Sequence, residues 1–136
     1  MKKLGNHCLP INIYGVMTNP ADSMRPSILE CSHYPLQEQA GMFCDALDQL
    51  IPTEGGFDGS DYIFCRDEPY ELHFEWYLRE CDVKCGLTVY ADPDDTEWFV
   101  VSDGGRKRIR RRVNREDVEG SAGMFLREVL LVMGRE

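Results

Sequence analysis

The sequence predicts an α+β fold, an antiparallel β-meander of about four strands with two flanking α-helical regions. Apolar and polar side chains alternate through residues 70–79, as they do in a strand that turns one face to a core. Three further runs typical of strands, at residues 85–91, 96–102 and 106–113, follow one another across short connections. Apolar residues recur at three- and four-residue steps on either side of this region, which indicates amphipathic helices.

The part of the chain before the meander predicts less regular structure. Residues 9–16 are typical of a short strand, residues 18–26 carry the breakers of a loop, and residues 27–31 allow a second short strand. Pro35 suits the first turn of a helix, which we expect to end at Pro52. Its apolar positions are Leu36, Ala40, Phe43, Leu47 and Leu50.

Turn-forming residues separate the later elements. The glycine-rich residues 53–60 predict a flexible connection, and the apolar run at 61–66 leaves its type open. Two turn-rich segments then join the strands, Asp92-Pro93-Asp94-Asp95 and Asp103-Gly104-Gly105. Asn114 is a suitable cap for the final helical region, which Gly120 and Gly123 are expected to divide.

Length and composition favour a single domain over residues 1–136, with a core large enough to need no metal or disulfide. The longest apolar run, residues 129–133, is far shorter than the ~20 residues that span a bilayer, so we expect a cytoplasmic protein without a membrane partner. The six cysteines lie in mostly apolar surroundings and are expected to be reduced and mostly buried: Cys8, Cys31, Cys44, Cys65, Cys81 and Cys85.

Charge is strongly segregated along the chain. Residues 106–115 hold seven of the fifteen lysines and arginines and no acid, although the net charge of the protein is −9. The remaining sequence has eight basic and 24 acidic residues, a net charge of −16. Such an acidic surface repels nucleic acid and attracts basic proteins.

The charge favours a binding module that sequesters a basic protein, such as a bacterial immunity protein or antitoxin that neutralises a nuclease toxin. The outward row of residues 70–79, with nearby acids, is the candidate partner-binding surface: Glu71, His73, Glu75, Tyr77, Asp58 and Asp61. Acids on exposed strands and turns also serve solubility, which is the competing explanation.

The arginine-rich run supports an alternative, a phosphate- or nucleotide-binding enzyme or regulator. A strand places one set of these side chains on a single face: Arg106, Arg108, Arg110 and Arg112. In that hypothesis His73 with Glu71 or Glu75 transfers protons. A structural explanation of the arginine-rich run needs no ligand. In it the run is an edge strand, paired with acidic neighbours, whose positive charge prevents pairing with the edge of another chain.

No motif selects a catalytic residue, a metal site or a cofactor. The pair Cys81 and Cys85 lacks a second matching pair for zinc, and the glycine-rich segment lacks the lysine of a phosphate loop. We therefore expect no metal and no cofactor. A structural subunit that assembles as a homo-oligomer through an exposed sheet edge or face is a third hypothesis.

Overall fold

The computed structural model describes residues 18–68 and 71–134 and confirms the predicted α+β class. Three helices accompany five strands, and two short 3-10 turns lie at Pro93–Asp95 and Asp103–Gly105. In chain order the elements are α1 (Pro20–Leu29), α2 (Tyr34–Glu54), β1 (Tyr62–Glu68), β2 (Glu71–Leu78), β3 (Val83–Tyr90), β4 (Glu97–Ser102), β5 (Lys107–Arg112) and α3 (Val118–Met133).

The strands form one antiparallel meander in the order β1-β2-β3-β4-β5. The four predicted strands are β2 to β5, and the run whose type the sequence leaves open is β1. Leu72 pairs with Val89 and Leu78 with Val83, so the apolar rows of β2 and β3 lie on the same face. The helices pack against this face, called here the covered face, and together they enclose the core.

Aromatic side chains fill the centre of this core. Phe57, in the connection between α2 and β1, contacts Trp76 of β2 edge-on with ring centroids 5.3 Å apart. Phe125 of α3 lies 6.1 Å from Phe57 and 5.8 Å from Trp98 of β4. Buried aromatic residues from three parts of the chain therefore hold α3 against the sheet.

The first helix corrects the prediction of a loop and a short strand between residues 18 and 31. The side chain of Asn19 accepts a hydrogen bond from the amide of Ala21 at 2.8 Å, and Pro20 begins the helix. These residues, interpreted as loop breakers, are also helix-start signals. The buried positions Ala21, Met24 and Ile28 supply the apolar face.

The ends of the other helices also differ from the predictions. Helix α2 continues through Pro52, and the amide of Gly55 closes its last turn on the carbonyl of Ile51 at 2.9 Å. Asp117, and not Asn114, caps α3 by accepting from the amide of Gly120 at 3.0 Å. A Cβ on Gly120 would collide with this carboxylate, so glycine at this position leaves room for the capping side chain. The helix is continuous through Gly120 and Gly123, which corrects the expected division. The strand predicted at residues 9–16 lies outside the described residues.

The cysteines confirm the sequence analysis in part. Cys31, Cys44 and Cys85 are free and buried, and burial raises the pKa of the Cys44 thiol to about 11 and raises that of Cys85 as well. Cys81 is in a disulfide, which corrects the expectation that it is reduced. A disulfide depends on the approach of two thiols in space, which a single sequence does not reveal. Cys8 and the side chain of Cys65 lie outside the described residues.

Across residues 18–68 and 71–134, none of the helices combines the length and the apolar character that crossing a bilayer requires.

Candidate binding surfaces

The face of the sheet opposite the helices, called here the open face, collects most residues of both site sets predicted from the sequence. Glu71, His73, Glu75 and Tyr77 alternate with the buried residues of β2 and therefore point to this face. Cross-strand partners share a face, and the β2 to β5 registers add the following residues: Lys84, Gly86, Thr88, Glu97, Phe99, Val101, Arg108, Arg110 and Arg112.

His73 is fixed at the centre of the open face by three contacts. Its Nδ1 lies 3.0 Å from the hydroxyl of Thr88, and its Nε2 lies 2.9 Å from Oε1 of Glu75. Its ring stacks on Phe99 with centroids 5.4 Å apart and planes inclined by 7°. Both ring nitrogens therefore have hydrogen-bond partners within the sheet, and one of these partners is Glu75, as in the proton-transfer hypothesis. That hypothesis stays a prediction.

Gly86 makes the stacked arrangement possible. It lies opposite Phe99 in the β3–β4 pairing. A Cβ on Gly86 would collide with the carbonyl oxygen of Phe74 and would lie 2.8 Å from the ring of Phe99. The sheet therefore requires glycine here for close packing and not for an unusual backbone angle.

The remaining predicted partner residues separate into two places. Tyr77 donates to Oδ1 of Asp82 at 2.9 Å, and this hydrogen bond raises the pKa of the Tyr77 phenol. Asp61 lies beside it, since its carbonyl accepts from the amide of Tyr77 at 3.0 Å. Asp58 lies in the α2–β1 connection, where its carboxylate accepts from the amides of Thr18 at 3.3 Å and Ser60 at 3.1 Å. Asp58 therefore stabilises the backbone of this connection.

An open cleft of about 410 Å³ lies at the Tyr77 end of the open face. Two acids and two bases line it, Glu75 and Asp82 with Lys84 and Arg108. The ammonium of Lys84 lies 3.9 Å from Glu75. Because the opposite charges are mixed, the cleft does not select a cation or an anion.

The arginine strand β5 forms one edge of the sheet, as the structural explanation of its charge requires. Arg110 pairs with Glu97 of β4 at 3.5 Å. Arg108 and Arg112 share its face, and neither has a carboxylate within ion-pair distance in the described part of the chain. Arg106 precedes the strand and lies in the turn. The predicted phosphate-binding set thus contains two unpaired arginines on one face.

The helical layer carries an acidic surface that the sequence analysis missed. Residues 20–54 contain six Asp and Glu residues and one arginine, a net charge of −5. That arginine, Arg25, bridges α1 to α2 through Asp45 at 2.9 Å and Asp48 at 3.4 Å. Four further helix acids are exposed and have no ion-pair partner among the described residues: Asp22, Glu30, Glu38 and Glu54. A charge count over the helix predicted at residues 35–52 gives three acids and no base, so it would have found only part of this surface.

Two of these acids lie at helix ends that disfavour them. Glu30 is the C-cap of α1, and Glu54 is the last residue of α2. The C-terminus of a helix carries partial negative charge, and neither helix has a basic residue in its last turn. Both carboxylates are therefore repelled by their own helices.

The acids of the connecting segments cap turns. Asp92 accepts from the amide of Asp94 at 3.0 Å at the start of the 3-10 turn. Within residues 18–68 and 71–134, no three His, Cys, Asp or Glu side chains are placed to share a metal ion.

Comparison with protein-family models, curated proteins and solved structures gave no match to this chain. What the protein does must therefore be inferred from its own surfaces.

Proposed function

We propose that this protein is a binding module that docks a basic protein partner on the acidic surface of α1 and α2. The observation that carries the proposal is the position of Glu30 and Glu54. A carboxylate at a helix C-terminus costs roughly 0.3–1 kcal/mol. Solubility requires acids only at exposed positions. A small protein has many exposed positions where a carboxylate does not lower the stability of the fold. Acids kept where they destabilise the fold favour a role in recognition.

The sign of the charge defines the partner. A net charge of −5 over residues 20–54 raises the encounter rate with a positively charged protein and repels a phosphate backbone. The β2 row is less suited to this role, because Glu75 already has His73 and Lys84 as neighbours. We therefore place the partner on the helices and not on the open face.

The biological role we propose is that of an immunity protein or antitoxin that neutralises a nuclease toxin in a bacterial cytoplasm. A nuclease must attract phosphates and is basic at its substrate site, so an acidic protein surface competes for the same face. The disulfide at Cys81 weighs against a reducing compartment. Thiol counting on protein isolated from its host, with and without reductant, decides whether that bond is present there.

A second candidate function is anion binding by β5. It is favoured by Arg108 and Arg112, which lie on one face and lack carboxylate partners among the described residues. Arginine binds phosphate and carboxylate through paired N–H groups, so this strand fits an anionic ligand. Protection of a sheet edge accounts for the same residues without a ligand.

Affinity capture from the native host with matched charge variants separates the two candidates. The tagged protein, the acid variant Glu30→Lys/Glu54→Lys and the control variant Arg108→Gln/Arg112→Gln are compared in nuclease-treated extract at low and moderate salt. We expect a stoichiometric basic protein on the unaltered chain and the arginine variant, and its loss from the acid variant. Capture of nothing, or capture that depends on the arginines alone, overturns the proposal.

A further inference from the structure

A groove of about 350 Å³ opens beside the acidic surface, between α2 and residues 93–118. Phe43 of α2 and Val113 after β5 form its buried floor, and Met42, Pro93 and Val118 line its sides. Its volume lies at the low end of the ~300–1,000 Å³ typical of ligand pockets. The groove therefore has room for one large side chain and little more.

Two polar side chains of the groove, Gln39 and Thr96, are hydrogen-bonded to each other and to the backbone of Tyr90. Gln39 donates its amide to the carbonyl of Tyr90 at 2.9 Å, and Thr96 donates its hydroxyl to Oε1 of Gln39 at 2.7 Å. The amide of Tyr90 in turn donates to the Thr96 hydroxyl at 3.2 Å. This network fixes α2 against the sheet, so the groove is formed before any ligand enters.

Met42 marks the groove as an unfilled apolar surface. It is 47% exposed, although the neighbouring Phe43 is 1% exposed. Methionine is flexible and adapts to the shape of a bound apolar group. An apolar side chain that entered the groove would cover Met42 and remove both surfaces from water.

The rim of the groove is negative. Glu38 lies one turn before Met42 on α2, and Glu116 lies across the groove. Neither has an ion-pair partner in the described part of the chain. Arg115 also lines the groove, but Asp94 lies 3.5 Å from its Nε and compensates its charge. The groove thus combines an apolar interior with two free carboxylates at its mouth.

We propose that this groove receives an apolar side chain of the basic partner, next to a lysine or arginine whose cation meets Glu38 or Glu116. The inference rests on the proposed function and gives that partner an anchor. Protein interfaces concentrate their binding energy in a few side chains that fill pockets within a charged rim. The acidic helices then attract the partner, and the groove fixes its position.

Three small probes test the groove without the partner: tryptamine, which joins an aromatic ring to an ammonium group, neutral indole, and anionic indole-3-acetate. Each is titrated into the isotopically labelled protein and followed by NMR. We expect tryptamine to shift the amide signals of Met42, Val113 and Val118 and to bind more tightly than indole, with indole-3-acetate weakest. Shifts confined to other parts of the protein, or preference for indole-3-acetate, overturn the inference.

Charge variants test the rim. Glu38→Gln/Glu116→Gln is expected to weaken tryptamine binding about fivefold and to leave indole binding unchanged, since exposed ion pairs contribute up to about 1 kcal/mol. The matched control Glu80→Gln/Asp103→Asn removes two exposed carboxylates elsewhere and is expected to leave both affinities unchanged. An equal loss in the control contradicts a role for these two rim residues.

The outcomes separate the groove from the proposed function. If no probe binds the groove while a basic partner is still captured through Glu30 and Glu54, the groove inference fails alone. If tryptamine binds as expected and no basic protein is captured, the proposed function fails and the cation-selective groove remains.

Discussion

Helices α1 and α2, on the covered side of the sheet, expose carboxylates that have no ion-pair partner among the described residues, and strand β5 turns two such arginines to the open face. The arginines lie on a sheet edge, where positive charge prevents pairing with the edge of another chain. Glu30 and Glu54 lie at helix C-termini, where negative charge destabilises the helix. An unpaired charge is therefore stronger evidence of function where it destabilises the fold than where the fold benefits from it.

The sheet keeps the two charged regions apart. The phenol of Tyr62 in β1 donates to the hydroxyl of Ser27 in α1 at 3.0 Å, which places α1 beside the edge opposite β5. Either region can thus be altered without removing a contact of the other. The comparison predicts that substitutions at the centre of the sheet cause large losses of stability. Substitutions of the exposed helix carboxylates or of the β5 arginines are expected to act mainly on association.

The largest expected effect is that of Gly86→Ala, at the centre of the sheet. The new Cβ would meet the Phe74 carbonyl and the Phe99 ring, so we expect the free energy of unfolding to fall by about 1–3 kcal/mol. Urea denaturation followed by tryptophan fluorescence measures it. The control Gly41→Ala in α2 adds a Cβ that meets nothing within 4 Å, and we expect a gain of up to about 1 kcal/mol. Equal midpoints for the two variants would refute this packing.

Alkaline pH is expected to destabilise the packing of α1 against α2 through Cys44, whose thiol donates to the carbonyl of Ala21. Burial, with a further contribution from Asp45 and Asp48, raises its pKa to about 11, whereas a thiol in the unfolded chain titrates near ~8.5. The unfolded chain therefore loses this proton first, and stability falls as the pH rises from about 8.5 towards 11. Urea midpoints at pH 8 and pH 10.5 measure the effect. Cys44→Ala should show a smaller difference between the two, and an unchanged difference would exclude Cys44 as the cause.

The edge explanation of β5 predicts self-association when its charge is removed. The triple variant Arg108→Thr/Arg110→Thr/Arg112→Thr removes the charge, and threonine favours strands. We therefore expect a free energy of unfolding within about 0.5 kcal/mol of that of the unaltered chain. In sedimentation we expect larger species, because the uncharged edge can pair with another chain. Arg127→Ser removes an exposed arginine from α3 and should change neither quantity. If the triple variant sediments like the unaltered chain, edge protection does not explain the arginines and the anion-binding candidate gains support.

The sequence predicted the sheet better than the helices. Alternation along β2 is a local signal, and it correctly separated Trp76 and its row from the row of His73. The loop and short strand predicted at residues 18–31 were wrong, because Asn19 and Pro20 are as typical of a helix start as of a loop. Residue type alone did not distinguish the two.

The candidate sites depended on contacts that no local pattern contains. The alternation rule predicted that Arg108 and Arg112 share a face, but it takes the registers of three strand pairs, β2–β3, β3–β4 and β4–β5, to place His73 on that same face. The groove joins Met42 to Val113, which are far apart in the chain. Single-sequence reasoning therefore finds faces of elements, whereas a site between elements needs the tertiary structure.

The most direct test of the account measures stability and association on one variant, Glu30→Lys/Glu54→Lys. Two lysines in place of the acids at the helix C-termini are expected to raise the free energy of unfolding by about 0.3–1 kcal/mol each. The same variant is expected to associate more slowly with the captured basic protein, while Arg108→Gln/Arg112→Gln associates at the unaltered rate. A more stable variant that binds poorly supports recognition by these acids. A less stable variant, or one that associates as fast as the unaltered chain, contradicts it.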